Sequence, residues 1–583
     1  MVLTRQQGDI CFQRGASAFS FYNSGDVHAF THGSDLVNGY VSACVDGSLN
    51  QIVLRVYEAD GSVHAHPMLG YRSGSRVEAC EGGLRFSGCV LGVTYRVVFC
   101  PVEEGLWLWQ TELCAEGKTV DLLYVQDVGV GEIGGVQTNE LYTAQYLDHS
   151  AIAGEHGWII ASRQNMPQGG RRPCMWQGML SGRAVSYATD GMQVYGLDYK
   201  LGGQMRAWTE NLPGEKRQGE LAVIALQTEK TELNGEGRFT FFGLYESDRP
   251  DTLKGLPQEM AERLGAICPP VLSGWKAVPS AARSTRFGKP YSAPAWEAAQ
   301  WDAHYPEREL EEYRDGKLLS FFLADHTHVV SQEKELLCER PHGTIMTTLF
   351  DEERVNTDLL TSTAYMYGAL ANQLTLGNTS FHKCTSVHRG LLNTVRTSGV
   401  RLYIELDDRM RLLLMPSAFA MNANGALWHY TLPGDELVIR AYAAAESTAL
   451  VLRAQSASGR AYRMMFTMQA VLGDQEHAQE VRLESEGTQR YVLRPQSMPK
   501  HPELTYYLDF DGGVSQSDDR VFFEDGQPRC PTQLTFDTVE PRAQVELVIS
   551  GSLTGEKPSV CTDEKGNTRH ISAHMNGSCA DSP

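Results

Sequence analysis

A chain of 583 residues is too long for one compact domain and suits about two to four. Its 51 Lys and Arg against 71 Asp and Glu give a net charge of −20, which argues against a nucleic-acid surface, where phosphate must be met by clustered cations. Hydrophobic residues make up 42%, enough for sizeable cores, yet no apolar leader region and no run of about 18 apolar residues marks a secretory signal or a membrane span. Thirteen cysteines, an odd number without a repeated CxxC spacing, fit reduced thiols and a cytoplasmic location better than a disulfide scaffold or a zinc site.

The first stretch reads as strands and turns. Residues 94–100 form a β-prone run, Pro101-Val102-Glu103-Glu104-Gly105 breaks it, and Leu106-Trp107-Leu108-Trp109-Gln110-Thr111 resumes it, which predicts a hairpin with a five-residue turn. Short strands recur at 51–57, 84–87, 120–125, 158–162, 221–227 and 238–244, separated by Gly-rich turns. Such spacing without intervening helices points to a large antiparallel sandwich. Val128 through Gly135 is glycine-rich and reads as a loop.

The texture changes over residues 250–318. Leu253, Leu256, Met260 and Leu264 recur at helical spacing after Asp251, a candidate cap, and Pro269-Pro270 ends the pattern. Residues 278–294 are too polar and broken for core structure, and the charged segment 306–314 reads as one solvated helix. The whole is a connector. From 319 to 554 strands return: 399–406 and 411–415 predict a hairpin across Asp407-Asp408-Arg409, and 436–442 with 448–454 repeat the strand–turn–strand layout. Residues 555–583 are polar, without apolar periodicity, and read as a frayed tail.

Chemistry is densest in Asp148-His149 and in Ser162-Arg163-Gln164-Asn165-Met166-Pro167-Gln168-Gly169-Gly170-Arg171-Arg172. An arginine and several carboxamides offer the planar donors and acceptors that suit sugar hydroxyls. The alternative is a long loop whose Asn and Gln bond their own backbone. His28 and His32 sit four apart among turn residues and lack the glutamate of a HExxH site, so a structural role is favoured. Asp325-His326-Thr327-His328, with Glu339-Arg340-Pro341-His342, is dense enough for a metal or proton transfer if one strand face presents both imidazoles; a solvated loop is the other reading. The acidic run from Asp509 to Asp519 lacks the closing glutamate of an EF-hand and reads as a turn. No phosphate-binding GxxxxGK[ST] loop, GxSxG elbow or strand-coupled GxGxxG is present.

Several stretches together carry a resemblance: Tyr22-Asn23-Ser24-Gly25-Asp26, Phe30-Thr31-His32-Gly33, Asp46-Gly47-Ser48-Leu49-Asn50, Gln126-Asp127-Val128-Gly129 and the 162–170 run. Glu339-Arg340-Pro341-His342-Gly343, Tyr365-Met366-Tyr367-Gly368, Leu374-Thr375-Leu376-Gly377-Asn378-Thr379 and Met415-Pro416-Ser417-Ala418-Phe419 complete the set. The chain resembles the N-terminal half of the 1,2-β-oligoglucan phosphorylases, of the glycoside hydrolase family 94 type, and more distantly the phosphorylase region of cyclic β-1,2-glucan synthases.

That resemblance implies a mainly β fold: two consecutive antiparallel β-sandwich or supersandwich domains, galactose-mutarotase-like, at 1–249 and 319–554, with no α/α barrel in this chain. In the family a six-hairpin barrel carries the general acid and the site for inorganic phosphate, the co-substrate; no catalytic residue is carried over, and no cofactor or metal is expected. The 29 residues after Thr554 (583 minus 554) fall far short of twelve helices of about 11–12 residues each, so a truncated or split gene product is expected. The implied partners are a β-linked gluco-oligosaccharide, a separately encoded barrel chain, a second copy in a homodimer, and neither nucleic acid nor membrane. An exposed apolar patch should accompany them. Asp148, His149, Arg163, Gln164, Asn165 and Gln168, with Glu339 and His342, are the candidate carbohydrate-binding residues. Two alternatives stay open. One is an aldose epimerase built on His149, His326, His328 and Glu339. The other is a stand-alone carbohydrate-binding protein with Trp107, Trp109, Trp176 and Trp428 as stacking platforms or core residues.

Overall fold

The computed structural model describes residues 2–4, 9–279, 282–347, 359–377, 382–385, 388, 390–423, 425–444, 447–472 and 480–560. Two large twisted sheets, of 13 and 12 strands, each pair with a five-stranded sheet to make two sandwiches, and a three-stranded sheet joins the second. Among the described residues the strand ladders are antiparallel, and the parallel contacts are three single bridges, Gly157 with Ala184, Phe287 with Met410 and Tyr291 with Leu413.

The first sandwich is organised by one 22-residue strand, Leu106–Asp127, which pairs along its length with Thr231–Glu246 and with the strands Val93–Glu103 and Gln51–Tyr57. Its burial explains its composition. Trp107 and Trp109 point to one face and, with Phe99 of the neighbouring strand, join Phe19, Phe21 and Phe30 from the facing sheet, with ring centroids 4.8–6.3 Å apart. Leu106 and Leu108 point to the other face, against Trp176, Phe242 and Met260. A strand buried on both sides loses the alternation of polar and apolar residues. All four tryptophans considered as sugar platforms, Trp107, Trp109, Trp176 and Trp428, are fully buried core residues.

The second sandwich packs Val400, Leu402, Met464, Phe466 and Phe536 of its small sheet against Trp428, Leu452, Leu493, Leu508 and Leu547 of the large one. The expected hairpins at 400–412 and 435–456 are present, and Asp407 and Asp408 both take positive φ, 51° and 56°, as a two-residue turn of the primed type requires. The N-terminal strand Val2–Thr4 crosses to this half and pairs with Glu480–Glu486.

Four local expectations change. The hairpin at 93–111 closes on Glu104-Gly105 alone, because Glu103 already pairs with Leu106. The connector helix is shorter than its apolar spacing suggests: it spans Gln258–Gly265, with Pro257 in front of it and not Asp251. Residues 128–135 are not all loop, since a short helix, Ile133–Thr138, starts there. The charged segment expected as a solvated helix is a fully exposed edge strand, Glu309–Arg314, paired with Lys317–Phe322 across Asp315-Gly316. It carries two exposed apolar side chains, Leu310 and Tyr313; the other exposed large apolar residues lie apart on different elements.

The connector is also more than a tether. Tyr291 exchanges backbone hydrogen bonds with Leu412 and Leu414, and Ala293, expected outside the core, is buried within it. The frayed tail lies outside the described residues from 561 onward, as do Asn378 and Thr379. No helix among the described residues is long and apolar enough to cross a membrane.

Candidate functional site

The side chains singled out in the sequence fall into two groups. Asp148 and Arg163 are cross-strand partners on Leu147–Gly154 and Gly157–Gln164, and their ion pair closes at 3.2 Å. Arg163 also donates to Asn165 Oδ1 at 3.4 Å and to the Pro250 carbonyl at 3.2 Å. His149 Nδ1 lies 2.9 Å from its cross-strand neighbour Ser162 Oγ, and burial pushes its imidazole down to about 4, so the ring is neutral.

The carboxamides bond backbone. Gln164 donates to the Thr143 carbonyl and accepts from the Met166 N–H, while Gln168 accepts from the Glu132 N–H and donates to the Met166 carbonyl. The hydrogen-bonding capacity of this loop is largely spent on the loop itself and on the short helix Glu140–Ala144.

Glu339 and His342 lie on a different wall. Glu339 pairs with Arg217, and His342 offers both its N–H and Nδ1 to Glu335 Oε2, at 2.9 and 2.6 Å. Glu335 is in turn held by Lys200 at 2.8 Å, both side chains fully buried. Between the two groups opens a cleft of about 340 Å³ where the two sandwiches meet. One side is formed by Tyr142 and Gln145 with Glu220, the other by Arg340, Tyr365 and Tyr367. Gln164 therefore stands behind the helix that forms one wall, and Glu339 and His342 flank the arginine of the other.

The cleft is held by charge and by stacked rings. Arg340 forms a forked ion pair with Glu220, and Gln145 donates to the same carboxylate at 2.6 Å. Tyr365 and Tyr367 stack at 5.5 Å. Tyr142 is half exposed and accepts from Tyr146 at 3.1 Å. Tyr142 and the partly exposed Tyr365, beside an arginine, a carboxylate and a carboxamide, form a surface that can bind sugar hydroxyls and ring faces, while Tyr367 is buried behind them. Both oxygens of the Glu220 carboxylate are thus engaged by Arg340, and one of them also by Gln145.

Leu141, Glu220 and Leu391 also wall a smaller cavity of about 40 Å³ that reaches Asp127 and Tyr40. Burial pushes the Asp127 carboxyl up to about 6, while the Tyr40 N–H donates to it at 2.7 Å. Three of the quoted motifs, 126–129, 339–343 and 365–368, thus converge on one place. Others are structural: Asp26 ties Ser24, Ser48 and Tyr71, and Asp46 accepts from Arg396 and Thr397 across the sandwiches.

Several constellations do not assemble. His326 sits in a turn at φ +64° ahead of the strand His328–Ser331, so the two imidazoles do not share a strand face, and His328 instead stacks on Phe322 at 4.6 Å. His149, His326, His328 and Glu339 each have their own partners, and among the described residues no hydrogen bond joins any two of them. His28 bonds Tyr22 and His32 bonds Ser17, as the structural reading expects. Asp509, Asp511 and Asp518 pair with Arg490, Arg542 and Arg520 and form no calcium cage. One group of potential metal ligands went unnoticed in the sequence. It is His304, His429 and Glu436, whose ligand atoms all lie within 4.8 Å of one another. Only the seven-residue spacing of the last two across a turn hinted at it.

Two β-sandwiches meeting at a polar, tyrosine-rimmed cleft define a protein of the supersandwich class, and similarity to known proteins narrows that class. Residues 20–243 match the SOGP N-terminal domain and residues 305–551 match the glycoside phosphorylase supersandwich domain. A 1,2-beta-oligoglucan phosphorylase from Listeria innocua is 31% identical over 562 residues, covering 95% of this chain and 50% of the relative. The chain belongs to the family that carries the SOGP N-terminal domain followed by the glycoside phosphorylase supersandwich domain, and it spans about half the length of that curated relative. Among solved structures, a polysaccharide lyase aligns over 76% of this chain and 46% of its own, at 8% identity and a TM-score of 0.27, a likeness that carries no argument.

Proposed function

We propose that this chain is the carbohydrate-binding, non-catalytic β portion of a glycoside phosphorylase acting on β-1,2-gluco-oligosaccharides. It works with an α/α barrel that supplies the general acid and the phosphate site. A second copy of the chain and the barrel are the partners this reading implies, in a cytoplasmic setting that suits the free thiols of the described cysteines. The reading divides the chain into sandwiches at 1–249 and 319–554 around a connector at 250–318. The observation that carries it is the cleft between the sandwiches, with Tyr142, Tyr365, Gln145, Glu220 and Arg340 on its walls. In this reading Asp148, His149, Arg163, Gln164, Asn165 and Gln168 hold one wall in place, and Glu339 and His342 hold the other.

Calorimetric titration of the full chain with β-1,2-gluco-oligosaccharide tests it. Arg340→Ala removes a charge-assisted donor contributing ~1.5–3 kcal/mol, so Kd should rise about 10- to 100-fold. Tyr365→Ala should weaken binding as well, and Gln164→Ala less than either. Absence of binding to the unmodified chain overturns the reading. Binding that survives Arg340→Ala and Tyr365→Ala but is lost in Arg163→Ala moves the site to the 162–171 loop.

A further inference from the structure

The connector's second helix, Ala298–His304, ends on a histidine that reaches the hairpin of Gly425–Leu432 and Asp435–Ala443. Glu436 pairs with Thr431, so it is the diagonal neighbour of His429 on the same sheet face. His304 Nε2 lies 2.8 Å from Glu436 Oε2, and His429 Nδ1 lies 2.5 Å from Glu436 Oε1.

The outer contacts of the three side chains decide which atoms face inward. His304 Nδ1 is 2.8 Å from the carbonyl of Gln300, which can only accept, so Nδ1 carries the hydrogen. Nε2 of the neutral ring is then a lone pair aimed at a carboxylate oxygen. Two acceptors facing each other require a cation between them, either a second ring proton or a metal ion. Trp296 stacks on the His304 ring at 4.2 Å and is itself anchored by its Nε1 donating to Thr431 Oγ1. Tyr305 Oη lies 2.9 Å from His429 Nε2, leaving Nδ1 for the centre.

Each imidazole thus has its second nitrogen held by an oxygen, the arrangement that orients metal-binding histidines. Two imidazoles and one carboxylate form a donor set for zinc with one position open to water, unlike the all-oxygen shells of calcium or magnesium. His304 and Glu436 are partly exposed, which leaves an entry path, while His429 is buried.

We propose that His304, His429 and Glu436 bind one Zn²⁺ ion that clips the connector helix to the large sheet of the second sandwich. Tetrahedral zinc, with bonds of about 2.0–2.1 Å, sets its ligand atoms about 3.3 Å apart, so the contacts of 2.8 and 2.5 Å would open by about 0.5 to 0.8 Å as the side chains turn to admit the ion. The test is zinc titration of the chelator-treated full chain, followed by calorimetry and by metal content after gel filtration. One zinc per chain is expected, together with a rise in thermal midpoint. His304→Ala and Glu436→Gln should abolish both, although each variant retains all thirteen cysteines. Tyr305→Phe keeps every ligand and should weaken zinc binding about 10- to 100-fold. Cobalt should give the visible absorption of a four-coordinate site in the unmodified chain and not in Glu436→Gln. Lack of zinc uptake, or uptake undiminished in both His304→Ala and Glu436→Gln, overturns the proposal.

Discussion

Lys200 and Glu335 show how a single residue can fix the cleft. The ammonium donates to Glu335 Oε1, to the Glu335 carbonyl and to the Cys338 carbonyl, and Glu335 Oε2 takes two contacts from His342. Both charges are fully buried, so neither can fall back on water. Removing one partner should therefore cost ~3–5 kcal/mol, more than the net contribution of the pair itself. Lys200→Met is expected to lower the unfolding free energy from urea melts by that amount, and Lys200→Met with Glu335→Leu to recover a large part of it. A double variant no more stable than the single one would show that the bonds to the two carbonyls dominate. Nothing in the sequence links positions 135 residues apart, and the neighbouring Glu339 and His342 stood out there as candidate sugar ligands in a motif, not as partners of Arg217 and Glu335. Structure adds that Lys200, through Glu335 and the Cys338 carbonyl, anchors the segment leading into Arg340.

At the scale of elements, close approach between strands sets limits that composition does not announce. Gly243 pairs with Trp107 in the strand ladder, and a Cβ there would lie 2.1 Å from the indole. The fully buried Trp107 has no room to move, so Gly243→Ala should cost ~1–3 kcal/mol through overpacking, read as a lower thermal midpoint. An unchanged midpoint would mean the sandwich yields there. The strand Glu309–Arg314 teaches a different lesson. Its charges suggested a solvated helix, yet Asp315-Gly316 is the dipeptide of a tight hairpin, and both residues take positive φ. The local signal was present and was outweighed by the charge pattern. The hairpins at 93–111 and 400–412 were legible because their apolar runs stop and restart across turn residues. The docking of Tyr291 and Ala293 was not, because a polar segment gains core positions only when another sheet edge receives it.

For the whole molecule, buried titratable groups pull stability in opposite directions with pH. Burial pushes His149 down to about 4, below its ordinary 6.5, so the unfolded chain binds the proton first. Its contribution is fully present above pH 6.5 and is lost as pH falls towards 4. Burial pushes Asp127 and Asp190 up to about 6 and Asp519 to about 7, and their contributions are lost instead as pH rises through those values. The difference between the unmodified chain and His149→Gln isolates the histidine. The variant should lose less stability between pH 6.5 and 4, measured by urea melts at each pH. Parallel curves would place the titration elsewhere.

The sequence alone determined the class of fold, since period-two apolar runs, turn dipeptides and double-buried strands are properties of short stretches of chain. Its motifs also determined the family. Tertiary structure decided where those motifs meet: Arg340 with Glu220, Gln164 behind Thr143, and His304 with Glu436 are pairings of residues far apart in the chain. Local spacing carries no information about such contacts, because the register and packing of whole sheets set them.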